Sequence, residues 1–366
     1  SKEYKQLTNG GKETLFRWLD NQTILYPGNS SNNHETSLYQ LNINNQTGVE
    51  YCSIPLRFNN FEPVSGNRIV LTAEYAVDDS SMNQSEFQVI DEIPFWSDGK
   101  GYTNKKRNRL YVFDKSTNEL TAITGELTNV NFFTVRDDVV TYVGKTYSDR
   151  NNLIPGIYQF DLSTNTTTAI LDEDLYKVEH VNYLNDKLFF IGACAKTSLA
   201  TDNPKFYMIE DGEVKLCIDP DFSCRDTVMS ECRYGESKTI RVYNDHLYLV
   251  STHERSSFIN RISIDGSVER LTSDNGSIDG FDICEDEILF TGLRGVDLLE
   301  IYSLKGSKES PVTQINQNNL DSKSISTPEA MVFENNGFSV HYVVLKPLQF
   351  DENKKYPAVL YIHGGA

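Results

Sequence analysis

The residues best suited to chemistry stand at the end of the chain. A continuous apolar run, Tyr356-Pro357-Ala358-Val359-Leu360-Tyr361-Ile362, leads into His363-Gly364-Gly365-Ala366. Apolarity without alternation suits a strand buried on both faces. Two glycines directly after such a strand let backbone N–H groups approach a developing negative charge, as acyl transfer requires of an oxyanion site. The rest of that chemistry is missing. A serine nucleophile needs G-x-S-x-G, then Asp and His in chain order, and no such set occurs. Gly235-Glu236-Ser237-Lys238-Thr239 lacks the second glycine. His34, His180, His246, His253 and His341 are scattered and read as surface or packed residues.

Other short motifs fall away on spacing. Gly144-Lys145-Thr146 has no upstream glycine to cradle a phosphate. Asp78-Asp79 and Asp172-Glu173-Asp174 lack the spacing of a calcium loop. Lys105-Lys106-Arg107-Asn108-Arg109 reads as a solvated hairpin edge. Cys52, Cys194, Cys217, Cys224, Cys232 and Cys284 form no C-x-x-C pair and read as reduced thiols of a cytoplasmic protein. No metal and no cofactor is expected.

Charge narrows the partners. Lys+Arg number 34 and Asp+Glu 52, a net charge of −18. Nucleic acid and anionic membrane surfaces share that sign, so neither is expected as a partner. The longest apolar runs are far too short to span a bilayer. Hydrophobic residues make up 39% and aromatics 11%, enough for a substantial core.

The elements that must position any site are strands. Short β-branched and aromatic runs alternate with Asn, Asp and Gly, in two recurring hairpins. One hairpin carries a polar turn before a strongly apolar strand, anchored at Ile24, Ile69, Val140, Leu188, Leu247 and Ile288. The other carries a strand with a central Tyr, as in Leu38-Tyr39, Leu110-Tyr111, Ile157-Tyr158, Phe206-Tyr207 and Ile301-Tyr302. The two together make a four-stranded unit of about 40–50 residues, the size of a β-propeller blade. The fold class is all-β, a β-propeller of six complete blades from about Thr14 to Val312. Insertions fall near Ala76 to Asn108 and Pro220 to Ser237.

The pattern changes after Asn316 to Thr327, a polar linker. Met331-Val332-Phe333, the turn Asn335-Asn336-Gly337, and Val340 to Leu345 form a hairpin, and the apolar run into His363 follows. Three stretches resemble the prolyl-oligopeptidase family of serine peptidases, most closely its acylaminoacyl-peptidase and dipeptidyl-aminopeptidase branch. Tyr356 to Gly365 resembles the entry strand and oxyanion loop of the α/β-hydrolase domain. Asn336 to Pro347 resembles the hairpin preceding it, and Asp91 to Arg109 a signature within the propeller. Ala366 stands where the family usually has Pro.

The resemblance implies a propeller over residues 1–320, its first blade incomplete, with Lys2 to Asn9 as a remnant strand and seven blades in the full protein. Residues 321–366 would be the linker and the truncated beginning of an α/β-hydrolase domain. His363, Gly364 and Gly365 would be the oxyanion loop, with no catalytic residue in this fragment. The substrates implied are short peptides, and the partners expected are the protein's own C-terminal hydrolase domain and further copies of itself in a homo-oligomer. A propeller-linked esterase and a non-catalytic binding propeller are the alternatives.

Overall fold

The computed structural model describes residues 5–10, 13, 15–28, 34–77, 89–151, 154–197, 202–220, 222–224, 228, 238–273 and 275–362. Six four-stranded antiparallel sheets follow one another as the blades of a β-propeller. Blade one comprises Arg17–Trp18, Thr23–Gly28, Thr36–Asn42 and Thr47–Ile54. Blade two comprises Asn60–Val64, Arg68–Ala76, Lys106–Asp114 and Glu119–Ala122. Blade three is Thr128–Arg136, Val139–Thr146, Gly156–Asp161 and Thr166–Leu171, and blade four Tyr176–Leu184, Lys187–Cys194, Lys205–Glu210 and Glu213–Ile218. Blade five is Ile240–Tyr243, His246–His253, Ser256–Ile262 and Val268–Arg270, and blade six Gly276–Cys284, Glu287–Arg294, Glu300–Lys305 and Lys308–Pro311. Two compact units divide the chain, one mainly over Glu3–Asp219 with blades one to four, the other mainly over Ser237–Ala366 with blades five and six. Among the described residues no helix is long and apolar enough to cross a membrane.

The sequence anchors now have physical causes. All six apolar anchors lie on second strands, and the tyrosine runs lie on third strands. Four of the five tyrosines stack on an aromatic of the second strand directly opposite, whereas Tyr111 faces Leu71. Tyr26 and Tyr39 are 5.8 Å apart, Tyr142 and Tyr158 5.2 Å, Phe190 and Tyr207 4.9 Å, and Phe290 and Tyr302 5.4 Å between ring centres. Such cross-strand aromatic pairs stabilise a sheet beyond the area they bury. In blades two, four and five the turn into the second strand has positive φ at both central residues, as at Asn185 (47°) and Asp186 (62°), which Gly, Asn and Asp tolerate and which matches the strand twist. The turn aspartates also reach back. Arg68 pairs with Asp138 of the next blade at 2.7 Å, and Arg136 pairs likewise with Asp186.

The core lies between blades rather than within them. Leu25, Leu38 and Ile54 of blade one pack with Phe61, Leu71 and Phe113 of blade two. Val70 and Leu110 of blade two pack with Val140 and Tyr142 of blade three. Val143 and Ile157 of blade three pack with Val181, Leu188 and Phe190 of blade four. In the other unit Val250 and Ile259 of blade five meet Ile278, Phe281 and Phe290 of blade six.

One repeated feature has no counterpart in the hydrophobic pattern. The first strands of blades three, four and six bulge after Val130, Val178 and Ile278, opposite Gly144, Gly192 and Gly292 of the second strands. A Cβ on Gly192 would stand 2.6 Å from the Lys177 carbonyl oxygen, and one on Gly292 2.1 Å from that of Ser277. The bulge brings backbone where a side chain would be.

Three expectations are corrected. Lys105 to Arg109 is not a solvated edge: Arg107 is 1% and Arg109 8% exposed. Of the expected remnant strand Lys2 to Asn9, the described residues 5–9 form no strand; their recorded tie is a hydrogen bond from Gln46 Nε2 to the Gln6 carbonyl, 3.1 Å long. Tyr356 to Ile362 is not a strand either, and Val359, Leu360 and Tyr361 are 95%, 83% and 86% exposed. A strand needs a neighbour to take its backbone hydrogen bonds, and among the described residues none pairs with this run. The hairpin Glu329–Asn335 and Phe338–Val344 does form.

Blade six ends in a carboxylate latch. Glu300, 8% exposed, accepts hydrogen bonds from the Thr313 hydroxyl, from Ile315 N at 3.0 Å and from Asn316 N at 2.7 Å. Burial acts to raise its pKa, but these three donors outweigh burial and hold it below the usual carboxylate value. The folded value is therefore depressed, so this stabilisation is complete above the unfolded pKa of ~4.3 and is lost as pH falls through the folded value.

Two measurements check this section. Gly292→Ala should destabilise the chain by about 1–3 kcal/mol in denaturant unfolding, whereas Gly125→Ala, where φ is not left-handed and the nearest atom to a Cβ is 3.6 Å away, should lose less. Glu300→Gln should lower stability at pH 7 by roughly 1–3 kcal/mol and flatten the acid limb of the stability profile.

Candidate functional site

Each blade has one end closed by tight turns and one end from which longer connections leave. The connection between the second and third strands of blade two runs over residues 77–105, of which 77 and 89–105 are described. It carries the Asp91 to Arg109 signature. Its small hairpin, Trp96–Ser97 with Gly101–Tyr102, is far too short to stand alone, so something else must hold it.

That support is a buried ion pair. Glu92 is 2% exposed and the Arg107 side chain is fully covered. Arg107 Nη1 lies 3.1 Å from Glu92 Oε2, and Nη2 donates to Oε1. The remaining guanidinium hydrogens go to carbonyls: Tyr147 O at 3.0 Å, Leu127 O at 3.3 Å and Lys106 O at 2.9 Å. The guanidinium also stacks 3.7 Å from the Tyr147 ring centre. Burial pushes the Tyr147 hydroxyl above its ordinary value against the pull of Arg107. The planar, five-donor fork of arginine suits this many-sided clamp, which lysine could not reproduce.

The clamp fixes the backbone around it. Glu92 Oε2 also accepts Lys105 N at 2.7 Å, and Asn104 Oδ1 accepts Glu92 N at 3.0 Å. Ile93 N donates to Asp149 O at 2.9 Å, and Asn151 N to Ile93 O at 2.8 Å, tying the insertion to the corresponding loop of blade three. Thr103 N closes on Phe95 O at 2.8 Å. Above this frame stand Ile93, Phe95, Trp96 and Tyr102, 69%, 40%, 52% and 45% exposed. Trp96 meets Tyr102 edge to face with ring centres 5.0 Å apart. The result is a rigid aromatic platform at the loop-bearing end of the blade, the kind of surface that anchors recognition. Below it Asp91 pairs with Lys105 at 3.1 Å and Glu92 with Arg107.

The remaining candidates do not assemble. His363, Gly364 and Gly365, with Gly235 to Ser237, lie outside the described residues. His180 stacks with Phe132 and Phe189, and His341 Nε2 is 3.8 Å from Glu254 Oε1. Cys52, Cys194, Cys217 and Cys284 are free thiols. Among the described residues no three metal-binding side chains come together. Sequence reasoning singled out the signature but missed the Glu92–Arg107 pair. Fifteen residues separate the two, and only the fold of the insertion brings them into contact.

Arg107→Ala leaves buried Glu92 with Lys105, whose Nζ is 3.7 Å away, as its remaining cation, and should lose about 3 kcal/mol. Hydrogen exchange should show fast amides over residues 91–105 first. Replacing both partners, Glu92→Leu with Arg107→Met, should recover most of that loss.

Comparison with known proteins bears on the fold and the family. Residues 2–293 match the model of the acylaminoacyl-peptidase N-terminal β-propeller domain. An uncharacterized peptidase of Bacillus subtilis (strain 168), YuxL, is 26% identical over 167 residues, covering 43% of this chain and 25% of that protein. The acylaminoacyl peptidase of Pyrococcus horikoshii superposes with a TM-score of 0.68 at 15% identity, over 92% of this chain and 50% of that one. The β-propeller domain of the trilobed protease from Pyrococcus furiosus gives 0.56 at 10% identity, over 83% and 84%. The chain thus spans about half the length of the first of these peptidase structures and a quarter of the curated relative. With its match covering most of the blades, the chain belongs to the family of acylaminoacyl-peptidase N-terminal β-propeller domains.

Proposed function

We propose that this chain is the substrate-gating propeller of a serine peptidase of the prolyl-oligopeptidase family. The whole enzyme would hydrolyse short peptides in the manner of an acylaminoacyl- or dipeptidyl-peptidase, in the cytoplasm. The carrying observation is the apolar surface that follows the blades. On the terminal hairpin Phe338 is 75% and Val343 56% exposed, and beyond it Leu345 is 65% exposed. A two-stranded ribbon with apolar side chains on both faces is not stable in water alone. It calls for a further folded body, and residues 321–366 would begin that hydrolase domain. Family membership supports the same reading.

In that body the N–H of Gly365, or of its neighbour, would face the oxyanion, with His363 and Gly364 shaping the turn. The nucleophile, acid and base would come from the hydrolase domain, so the 366 residues alone would be inert. The blades would select by size, admitting short unfolded peptides. The platform of Phe95, Trp96 and Tyr102 would lie on the loop-bearing end, where such peptides are met.

The test is an assay of the 366-residue chain and of a longer form carrying the hydrolase domain, with N-acetyl-peptide anilides and with acyl esters. Only the longer form should turn over, and peptides should be preferred to esters. Gly365→Pro, which deletes one N–H, should lower kcat by about 10²–10³ with little change in KM. Equal turnover by the 366-residue chain, or ester preference, would overturn the reading.

A further inference from the structure

The triplet Gly144-Lys145-Thr146, which fails as a phosphate loop, ends the second strand of blade three at the loop-bearing end. Faces alternate along a strand, so Lys145 shares the face of Val143, which packs toward blade four. Lys145 is 9% exposed. A lysine covered to this degree is ordinarily paired. Its ammonium has no hydrogen bond and no ion pair among the described residues, and the charge recorded as acting on it is that of Glu173. Its nitrogen is not among the partnerless polar atoms that are sealed from solvent. The amine therefore meets solvent at its tip while its stem is covered.

Glu173 lies in the connection between blades three and four and is held against the strand end. Its Oε1 accepts the Thr146 N–H at 3.0 Å and the Tyr158 hydroxyl at 3.1 Å. Asp172 and Asp174, on either side of it in the chain, are exposed. The mouth over Lys145 is thus anionic, although the amine itself is unpaired. Burial pushes the Lys145 ammonium below its ordinary value against the pull of Glu173.

We propose that Lys145 is a modification site, a nucleophilic amine that forms an imine with small, uncharged aldehydes. An amine that is desolvated and free of an ion pair is the form of lysine that attacks a carbonyl carbon. The nitrogen adds to the aldehyde carbon, its two hydrogens leave with the carbonyl oxygen as water, and a C=N bond remains, so no oxidant or reductant is consumed. The covering of the stem restricts the reagent to small molecules, and the carboxylates beside the mouth repel anionic ones. The site does not rest on the peptidase reading, because it is formed wholly by blades three and four.

Limited labelling of the 366-residue chain at pH 7 tests it, with acetaldehyde and cyanoborohydride to trap the imine, and the labelled lysines mapped by mass spectrometry. At that pH an ordinary lysine is only about 0.04% neutral. Lys145 should label at least about fivefold faster than Lys215, which is paired with Glu210, and than exposed Lys323. The preference should vanish in guanidinium chloride, where the blades are unfolded. Glyoxylate, an aldehyde that carries a carboxylate, should favour Lys145 over Lys323 at least about threefold less than acetaldehyde does, and Glu173→Gln should narrow that gap. The proposal falls if Lys145 labels no faster than Lys215 and Lys323 in the folded chain, or if its preference survives unfolding. It falls equally if glyoxylate is as selective as acetaldehyde, or if Glu173→Gln leaves the gap unchanged.

Discussion

A sheet that is apolar on both faces must be covered on both, and this requirement organises the chain. Along the second strand of blade three, Val140 and Tyr142 pack toward blade two, whereas Val143 packs toward blade four. Neither face meets water. A blade on its own would leave one of these sets exposed, so each blade is stable only beside its neighbours. The repeated order of strands, the paired turns and the aromatic stacks all serve that packing. The glycines opposite the first-strand bulges do so too, because they let two backbones approach where a side chain would hold them apart.

Packing of this kind leaves the ends of the blades for function. Tight turns close one end of each blade and longer connections leave from the other. The blade-two insertion uses that freedom. Its buried Glu92–Arg107 pair contributes little net stability by itself, since two charges must be desolvated to make it. What it supplies is definition. Three loops converge on one guanidinium, and the aromatic side chains above are held in one arrangement. An apolar core under the loop would have been as stable, but it would not have fixed the carbonyls of Leu127 and Tyr147 through hydrogen bonds.

The repeat was legible in the residues because its causes are local. Asn-Asp and Asp-Gly turns demand positive φ, and apolar second strands and tyrosine-bearing third strands each report a short-range fact. All six blades follow from these. The insertion was visible as an excess length, and its signature as a resemblance. The environment of Lys105 to Arg109 was not legible. A basic run in an acidic chain reads as solvated, and only the arrival of Glu92 and Tyr147 from distant positions buries Arg107. The terminal run Tyr356 to Ile362 failed in the opposite sense. Its composition is that of a buried strand, but composition cannot supply the neighbouring strand that would pair with it.

The amino-acid order by itself determined what depends on neighbours in the chain: the turns, the strand lengths, the alternation of hairpins and therefore the blades. Tertiary structure decided what depends on distant groups meeting. It buried Arg107 on Glu92, set glycines against bulges and latched Glu300 onto the residues leaving blade six. The reason is physical. Backbone torsion and periodicity act over a few residues, whereas desolvation and hydrogen-bond satisfaction are settled only when the whole surface around a group is in place.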